Sequence, residues 1–386
     1  MGLPDLAGSS RSALLSALAA SGTAALSISL VQLLVGSTLM PRFVVFGSAL
    51  LLVPWDVACT MLATGGRTRA EGRDRVVAVV TVEEADALRA DLRLAPERNA
   101  AIVENLSVDQ ARSDQPRARP LVESVVRHGA SVVILDREAQ NDESIVGQAA
   151  SLHEAGIRIR TLTLFYDEWL GKLPVWELER VSLMFDIGEL HRARYGRLKR
   201  LADLVVAIVA MALLLVAVPF VVLGDLVANR GPLFYRQERV GKNGITFPIL
   251  KFRTMRPQAG AQPSEWTTED DPRITPFGRV LRRTHVDELP QLVNVLGGDL
   301  SIVGPRPEQP HYVQELVGKI PFYDLRHRVR PGLTGWAQVK YGYAGSESDA
   351  LQKLQYEFYY LRHQNLTLDA RIIGRTLRSV AGGRGR

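Results

Sequence analysis

Two adjacent carboxylates, Asp287 and Glu288, stand at the start of a predicted helix and are the residues best suited to chemistry. Asp287 is a good N-cap, Pro290 is tolerated only in a first helical turn, and Gly297 is a typical residue at which a helix ends. A helix start keeps a carboxylate ionised and attracts phosphoryl groups, so Asp287 suits nucleophilic attack on phosphorus. Because neighbouring helical residues do not face each other, Glu288 is expected to have a different role, holding Mg²⁺ with diphosphate oxygens.

An isolated Asp-Glu-Leu-Pro sequence is more often a plain helix cap with an acidic first turn, so phosphate chemistry needs cations nearby. Lys251 and Arg253 alternate along a strand candidate over residues 249–255. Side chains two apart share a face of a strand, so the two cations would point together while Leu250 and Phe252 enter the core. Two cations on one face suit a diphosphate, although a solvated strand face is the commoner explanation.

Two later segments contain residues that are typical of turns. Arg306 lies between Pro305 and Pro307, which fix the backbone and present a planar guanidinium suited to phosphate; a rigid turn without a ligand is the alternative. Residues 331–339 predict a turn followed by a short strand, in which Trp336 is more often a core residue than a ring beside a ligand base.

The elements that would position these residues begin with two apolar runs, 12–40 and 43–63, whose only charged residue is Asp56. At a rise of about 1.5 Å per residue, roughly 20 apolar residues cross a hydrocarbon core of about 30 Å. The runs therefore predict a transmembrane helical hairpin over residues 1–66. The positive-inside rule places the chain from residue 67 onward in the cytoplasm, because four arginines follow closely: Arg67, Arg69, Arg73 and Arg75.

A third apolar run, 204–223, has basic residues on both flanks, so both of its ends carry the cytoplasmic signature. Pro219 removes a backbone hydrogen bond and permits a bend, which favours a re-entrant membrane helix; a third span kinked by the proline is the alternative. Farther along, an apolar stripe at helical spacing predicts an interfacial helix, and packing on the catalytic core explains it equally. The stripe consists of Leu351, Leu354, Phe358 and Leu361.

Residues 67–180 alternate β-branched runs with amphipathic stretches, a pattern typical of βαβ units and of a small Rossmann-like parallel sheet. After the first strand comes Thr81-Val82-Glu83-Glu84, where a dinucleotide site would need glycines to let the backbone approach a pyrophosphate. A structural or regulatory role is therefore favoured over cofactor binding. The predicted strands are 76–80, 101–103, 131–136 and 157–162, and the predicted helices are 83–92, 120–129 and 144–155.

Composition bounds the partners of this 386-residue chain, which has room for two or three domains. A hydrophobic share of 46% excludes wholesale disorder. The 47 Lys and Arg against 41 Asp and Glu leave a net charge of +6, which favours a phosphate-bearing partner or an anionic membrane surface. No nucleic acid is expected, because zinc-finger, basic-zipper and RNA-binding aromatic motifs are missing from the sequence. The single cysteine, Cys59, excludes an internal disulfide framework and favours a reducing compartment.

From about residue 195 to residue 378 the sequence resembles the bacterial sugar transferases, the monotopic phosphoglycosyl transferases that load a polyprenyl phosphate with a sugar phosphate. The whole chain is similar to the larger members, in which membrane helices and a Rossmann-like domain precede the transferase. The resemblance implies that Asp287 is the nucleophile, that Glu288 binds Mg²⁺ and that residues 204–223 form a re-entrant helix. The bend that usually reads Ser-Pro is Val218-Pro219 here. The matching segments are Lys251-Phe252-Arg253-Thr254-Met255, Asp287-Glu288-Leu289-Pro290-Gln291-Leu292, Gly304-Pro305-Arg306-Pro307 and Pro331-Gly332-Leu333-Thr334-Gly335-Trp336.

We therefore expect an α/β membrane protein with three parts: a transmembrane hairpin over 1–66, a Rossmann-like α/β domain over 67–180, and an α/β catalytic domain over 181–386. The catalytic domain would carry the re-entrant helix at about 204–223 and interfacial amphipathic helices. It would lie on the cytoplasmic face of a bacterial inner membrane.

The expected reaction moves a sugar 1-phosphate from a UDP-sugar to polyprenyl (undecaprenyl) phosphate, through a covalent aspartyl phosphosugar, and releases UMP. It would be the first membrane step of polysaccharide biosynthesis. Lys251, Arg253 and Arg306 are the expected phosphate-binding cations, and Mg²⁺ is the expected cofactor. The alternatives are an inactive scaffold of a polysaccharide assembly complex and an oxidoreductase, for which the cofactor loop is missing. A homo-oligomer is left open.

Overall fold

A computed structural model describes residues 21–22, 25, 29, 47, 51–54, 74–94, 96–113, 118–175, 192–228, 231–256, 271, 273–341 and 347–381. The chain forms two compact units, residues 1–76 with 99–101 and residues 77–98 with 102–386. The described positions between residues 21 and 54 are helical. Most of the predicted hairpin over 1–66, and the predicted boundaries near residues 67 and 181, lie outside the described residues.

The Rossmann-like region contains a four-stranded sheet in the order β2-β1-β3-β4. Strands β3 and β4 pair in parallel, with Val132 opposite Arg158. Helices cover the sheet, and Val133, Leu121 and Ile145 are fully buried in its core. The strands are β1 (Asp74–Val79), β2 (Ala100–Leu106), β3 (Val132–Leu135) and β4 (Arg158–Thr161); the helices are α1 (Val82–Leu94), α2 (Val108–Ala111), α3 (Pro120–His128), α4 (Arg137–Gln140), α5 (Glu143–Glu154) and α6 (Leu162–Phe165).

The predicted α/β alternation of this region is confirmed, and each predicted strand and helix is present within a few residues of its expected bounds. The turn after β1 is closed by its own side chains. The Thr81 hydroxyl accepts a hydrogen bond from the Glu84 amide, and the Glu84 carboxylate accepts one from the Thr81 amide at 2.9 Å. This reciprocal cap places a carboxylate at the helix start, where a phosphate loop would present bare amides.

Helix α7 (Arg192–Ala228) contains the third apolar run. Within the described part of the chain, no single helix is long and apolar enough to cross a membrane; the stretches Tyr195–Ala212 and Leu214–Asp225 together meet that length and composition, and they meet at a 45° bend. A bend of this helix was predicted from Pro219, which lies within the second of these stretches. Pro219 has no N–H for the carbonyl four residues earlier, so the weakened turn lies on its N-terminal side.

The predicted catalytic region pairs strands β5 (Phe234–Val240) and β6 (Thr246–Phe252) as an antiparallel hairpin. Strands β7 (Ser301–Val303) and β8 (Gly332–Thr334) pair in parallel. The helices are α8 (Pro276–Arg283), α9 (Leu292–Gly297), α10 (Pro310–Lys319), α11 (Trp336–Lys340), α12 (Glu347–His363) and α13 (Leu366–Ala381), and 3₁₀ turns cover Lys242–Gly244, Val286–Gln291 and Tyr323–Arg328. A π-helical turn, Tyr166–Leu170, follows α6.

The predicted strand after the turn at 331–339 is wrong in position, because β8 occupies Gly332–Thr334 and Trp336 already begins α11. Trp336 is 1% exposed, which confirms it as a core residue. In β6 the expected core residue Leu250 is only half-buried, while Ile249 and Phe252 are buried. The apolar stripe of α12 packs inward through Leu354, Phe358 and Leu361, so core packing accounts for that helix.

Candidate active site

Asp287 and Glu288 lie in the 3₁₀ turn that leads into α9. His285 precedes them in the left-handed region with φ of 55°, and its carbonyl accepts a hydrogen bond from the Glu288 amide three residues later. The predicted N-cap role of Asp287 is wrong, because the turn begins at His285 without a side-chain cap. This hydrogen bond joins residues three apart, as in a 3₁₀-helix, whereas an α-helix joins residues four apart.

Two cations share one carboxylate oxygen of this pair. Lys251 Nζ donates to Glu288 Oε1 at 2.7 Å, and Arg306 Nη2 donates to the same oxygen at 3.1 Å. Asp287 is 9% exposed. The structure thus brings together four of the five predicted site residues, from β6, the 3₁₀ turn and the loop after β7.

The two carboxyl groups differ in their electrostatics. Burial and the adjacent Glu288 charge raise the pKa of Asp287 to about 6, against the opposing effect of Lys251, Arg282 and Arg306. Burial alone would raise the pKa of Glu288 also, but Lys251 and Arg306 hold that pKa well below its usual range. Near neutral pH Glu288 is therefore ionised, and Asp287 holds its proton more tightly than an ordinary aspartate, as expected of a pair with two separate roles.

Arg253, the fifth predicted residue, lies elsewhere. Its side chain is 7% exposed, its Nε donates to the Pro232 carbonyl at 2.6 Å, and its Nη2 faces Asp225 near the end of α7 at 3.4 Å. Arg253 follows the last residue of β6, so strand alternation no longer dictates where it points. Its role in phosphate binding stays a prediction.

The loop that carries Arg306 is held from behind. Gly304 has no room for a side chain, since a Cβ there would lie 2.5 Å from the Arg330 carbonyl oxygen. The Arg306 carbonyl accepts a hydrogen bond from Arg326 Nη2 at 2.8 Å. Arg326 in turn makes a buried bidentate pair with Glu357, with both oxygens at 2.7 Å. These contacts fix the backbone of the loop in advance. A guanidinium that binds phosphate through two hydrogen bonds needs such a fixed position.

The donor set at Glu288 fits a Mg²⁺ ion that takes most of its ligands from a substrate. Among the described residues, no group of three or more His, Cys, Asp and Glu side chains could hold a metal. Both hydrogen bonds described above fall on Oε1 of Glu288. Mg²⁺ commonly binds one or two carboxylates and fills its other positions with phosphate oxygens and water, so this site suits such an ion.

Sequence reasoning missed three contributors to the site. Arg282 lowers the pKa of Asp287 from the end of α8, and its position five residues upstream was the only available signal. His285 contributes through its backbone conformation, which side-chain type does not report. Arg326 acts on the Arg306 carbonyl from 20 residues away, a contact that no local pattern indicates.

The sequence of the chain is similar to those of known proteins. The bacterial sugar transferase family model matches residues 194–383. A putative undecaprenyl-phosphate N-acetylgalactosaminyl 1-phosphate transferase of Bacillus subtilis is 38% identical over 153 residues, which cover 38% of this chain and 86% of that protein. The chain belongs to the bacterial sugar transferase family.

Two further relatives are similar to about half of the chain. A UDP-glucose:undecaprenyl-phosphate glucose-1-phosphate transferase of Caulobacter vibrioides is 37% identical over 195 residues, covering 50% of this chain and 73% of that protein. A UDP-N-acetylgalactosamine-undecaprenyl-phosphate N-acetylgalactosaminephosphotransferase of Aeromonas hydrophila is 37% identical over 232 residues, covering 56% of this chain. The chain spans about half the length of that larger relative, 54%.

Proposed function

We propose that the protein transfers a sugar 1-phosphate from a UDP-sugar to undecaprenyl phosphate, giving undecaprenyl diphosphate sugar and UMP. The observation that carries the proposal is the Asp287-Glu288 pair, in which one carboxyl group has a raised pKa and the other is held ionised by Lys251 and Arg306. The sugar transferase relatives, whose names state such reactions, support the substrate class.

The proposed chemistry has two displacements at one phosphorus. An Asp287 carboxylate oxygen forms a bond to the sugar-linked phosphorus as the bond to UMP breaks, and UMP leaves with the electron pair. An oxygen of undecaprenyl phosphate then attacks the same phosphorus and releases the Asp287 carboxylate. A carboxylate with a raised pKa is a better nucleophile than an ordinary aspartate, yet it is still ionised at neutral pH.

The cations would neutralise phosphate oxygens during both steps. Lys251 and Arg306 already converge on Glu288 Oε1, so a diphosphate placed against Asp287 would meet both charges in a largely buried site, where they act most strongly. Glu288 would hold Mg²⁺, and the ion would supply further charge stabilisation on the diphosphate.

We propose further that α7 lies in the membrane without crossing it. Both of its ends contact the catalytic core: Asp203 accepts hydrogen bonds from the Ser301 hydroxyl and the Ile302 amide at 3.0 Å, and Asp225 faces Arg253. Between these ends the face that packs on the core contains Ala207, Leu214 and Val221. The other face is apolar yet exposed, as a lipid-facing surface would be: Val205, Ile208, Val209, Leu215, Val216, Phe220 and Leu223.

The activity is tested by incubating the full-length protein in nanodiscs with undecaprenyl phosphate and a panel of UDP-sugars, and measuring UMP release. UMP should appear with at least one donor, should depend on the lipid phosphate for continued turnover, and should stop in EDTA until Mg²⁺ is restored. Absence of UMP with every donor would favour the inactive scaffold instead.

The covalent step is tested by Asp287→Asn. Removing the nucleophile should lower turnover by about 10⁴-fold or more, while nucleotide binding and the fold persist. Wild-type protein given UDP-sugar alone should accumulate a phosphosugar adduct on the Asp287 peptide, detectable by mass spectrometry. Substantial turnover in Asp287→Asn would overturn the assignment of the nucleophile.

The topology of α7 is tested by cysteine labelling in a Cys59→Ser background. Single cysteines at Arg197 and Lys242 flank α7, and both should react only from the cytoplasmic face of intact cells or oriented vesicles. Labelling of position 242 from the opposite face, with position 197 cytoplasmic, would show a true span and refute the re-entrant arrangement.

A further inference from the structure

Trp336 lies where the Rossmann-like region meets the catalytic region. Its indole Nε1–H donates to the carbonyl oxygen of Gly171 at 2.7 Å. Gly171 follows the π-helical turn in the left-handed region with φ of 65°, and a Cβ there would lie 3.1 Å from Trp336 Cζ2. The positive φ favours glycine at this position, and the close ring leaves little room for a side chain, so the backbone of the Rossmann-like region packs directly against the Trp336 ring.

Glu97 holds two cations against the same ring. It accepts hydrogen bonds from Lys340 Nζ at 2.7 Å and from Arg375 Nη1 at 2.9 Å, and these two charges lie 5.6 and 5.0 Å from the centre of the Trp336 ring. Burial alone would raise the pKa of Glu97, but its bonds to Arg375 and Lys340 lower that pKa, so the carboxylate is ionised. One carboxylate of the Rossmann-like region thus orders α11 and α13 around Trp336.

The backbone next to Trp336 touches the loop that carries Arg306. A Cβ on Gly335 would lie only 2.2 Å from the Gly304 carbonyl oxygen. The Gly304 amide donates to the Thr334 carbonyl at 2.9 Å, and the Gly332 amide donates to the Pro305 carbonyl at 2.8 Å. Trp336 and Arg306 also line one small cavity. A displacement of Trp336 would therefore move the adjoining backbone and, through it, the loop that carries Arg306.

We propose that Trp336 is a positioning residue for the phosphoryl transfer, and that Glu97 and Gly171 set it so that Arg306 meets the substrate phosphate. This inference rests on the proposed function for its consequence in catalysis. It gives the Rossmann-like region a role in the reaction although the turn after β1 lacks a phosphate loop.

Other contacts hold the two regions together independently of Trp336. Lys172 is 1% exposed, pairs with Asp91 at 2.6 Å and donates to Gln352 of α12 at 2.8 Å. His363 contacts Asp167 at 2.7 Å. Loss of the Glu97 charge should therefore loosen Trp336 without separating the regions, so a positioning role can be measured apart from a structural one.

The test compares Glu97→Gln with Glu168→Gln in the full-length protein in nanodiscs. Glu168 is a matched carboxylate of the same region, and its partners Arg98 and Arg160 both belong to that region. Glu97→Gln should lower kcat for UMP release by about tenfold to a hundredfold, as expected for a misplacement of the order of 1 Å. Glu168→Gln should leave kcat within about twofold, as expected of a partly exposed ion pair.

Two readouts separate positioning from general weakening. If Glu97 acts through Arg306, Glu97→Gln should lower kcat little further in an Arg306→Gln background, because the side chain that it positions is already gone. Amide hydrogen exchange should become faster in peptides covering residues 301–307 of Glu97→Gln and of Trp336→Phe, which lacks the indole N–H.

Independent, additive losses of kcat in the double variant, together with unchanged exchange over 301–307 in Glu97→Gln and Trp336→Phe, would show a merely structural role and overturn the proposal. If wild-type protein releases no UMP with any donor, the proposed function fails, and the exchange measurement still decides whether Glu97 and Trp336 order the Arg306 loop.

Discussion

The surroundings of Lys251 and Arg253 are instructively different, although only one residue separates the two cations in the sequence. Lys251 is 19% exposed in its side chain and contacts Glu288 of the candidate active site. Arg253 is 7% exposed and faces Asp225 and the Pro232 carbonyl at the end of α7. The first region concentrates two carboxylates and several cations in one place; the second pairs one cation with one anion beside a backbone acceptor.

The difference between the two surroundings indicates which of the two cations can bind a substrate. At Glu288 two cations share one oxygen beside a second carboxyl group of raised pKa, so under the proposed mechanism an incoming diphosphate would meet both charges and the Asp287 carboxylate. The Arg253 guanidinium contacts both the Asp225 side chain and the Pro232 carbonyl. Such an arrangement typically holds two structural elements together. Carboxyl groups whose pKa values are strongly shifted cluster at functional sites, and the Asp287-Glu288 pair has this property.

The largest contrast is expected in activity. Lys251→Met should lower kcat for UMP release by about 10²- to 10³-fold, the usual cost of removing one charge-stabilising donor from a buried site. The free energy of unfolding should change by about 1 kcal/mol or less, because Arg306 still faces Glu288. Steady-state assays and denaturant unfolding of the same preparation measure both. A variant that unfolds easily but keeps its kcat would reverse the comparison.

Next in size is the effect of Arg253→Met on stability. Removing one partner of a buried ion pair costs about 3 kcal/mol or more, because a desolvated charge loses its partner. Thermal or denaturant unfolding should show this loss, and Arg253→Met with Asp225→Leu should recover much of it. A stable Arg253→Met protein with severely reduced kcat would instead support the phosphate-binding role predicted for Arg253.

The smallest expected effect is a shift in pH dependence. Under the proposed mechanism Asp287 must be ionised to attack, and its pKa is raised to about 6, so kcat should fall as the pH is lowered through about 6 and stay constant near pH 8. Lys251 lowers the pKa of Asp287, so Lys251→Met should move this limb to higher pH. The limb should not move in Arg253→Met, which serves as the control. An identical shift in both variants would show that the two regions are coupled.

Much of the fold was predictable because it depends on local periodicity. Alternation of β-branched runs and amphipathic stretches correctly predicted the strands and main helices of the Rossmann-like region. Periodicity was less informative where a segment is short. Residues 331–339 have strand and helix signals within nine positions, and the structure ends β8 before Gly335, whose backbone lies too close to Gly304 to leave room for a Cβ.

The candidate site was predictable in part for a related reason. Asp287, Glu288 and the proline-bounded Arg306 carry their signal in adjacent residues, and the structure brings them together with Lys251. A bend of α7 was predictable from Pro219, because a proline weakens the helical turn that precedes it. The left-handed backbone conformation of His285 was not predictable, because at a non-glycine residue no sequence pattern indicates it.

The sequence by itself determined which residues could react, since side-chain chemistry, proline-fixed loops and apolar periodicity are properties of short segments. The tertiary structure alone decided which of two similar cations faces the carboxylate pair, which carboxyl group has a raised pKa, and that Glu97 reaches Lys340 and Arg375 more than 240 residues away. The physical reason is that pKa values and ion pairing depend on burial and on distances between charges, and both are set by contacts between segments far apart in the chain.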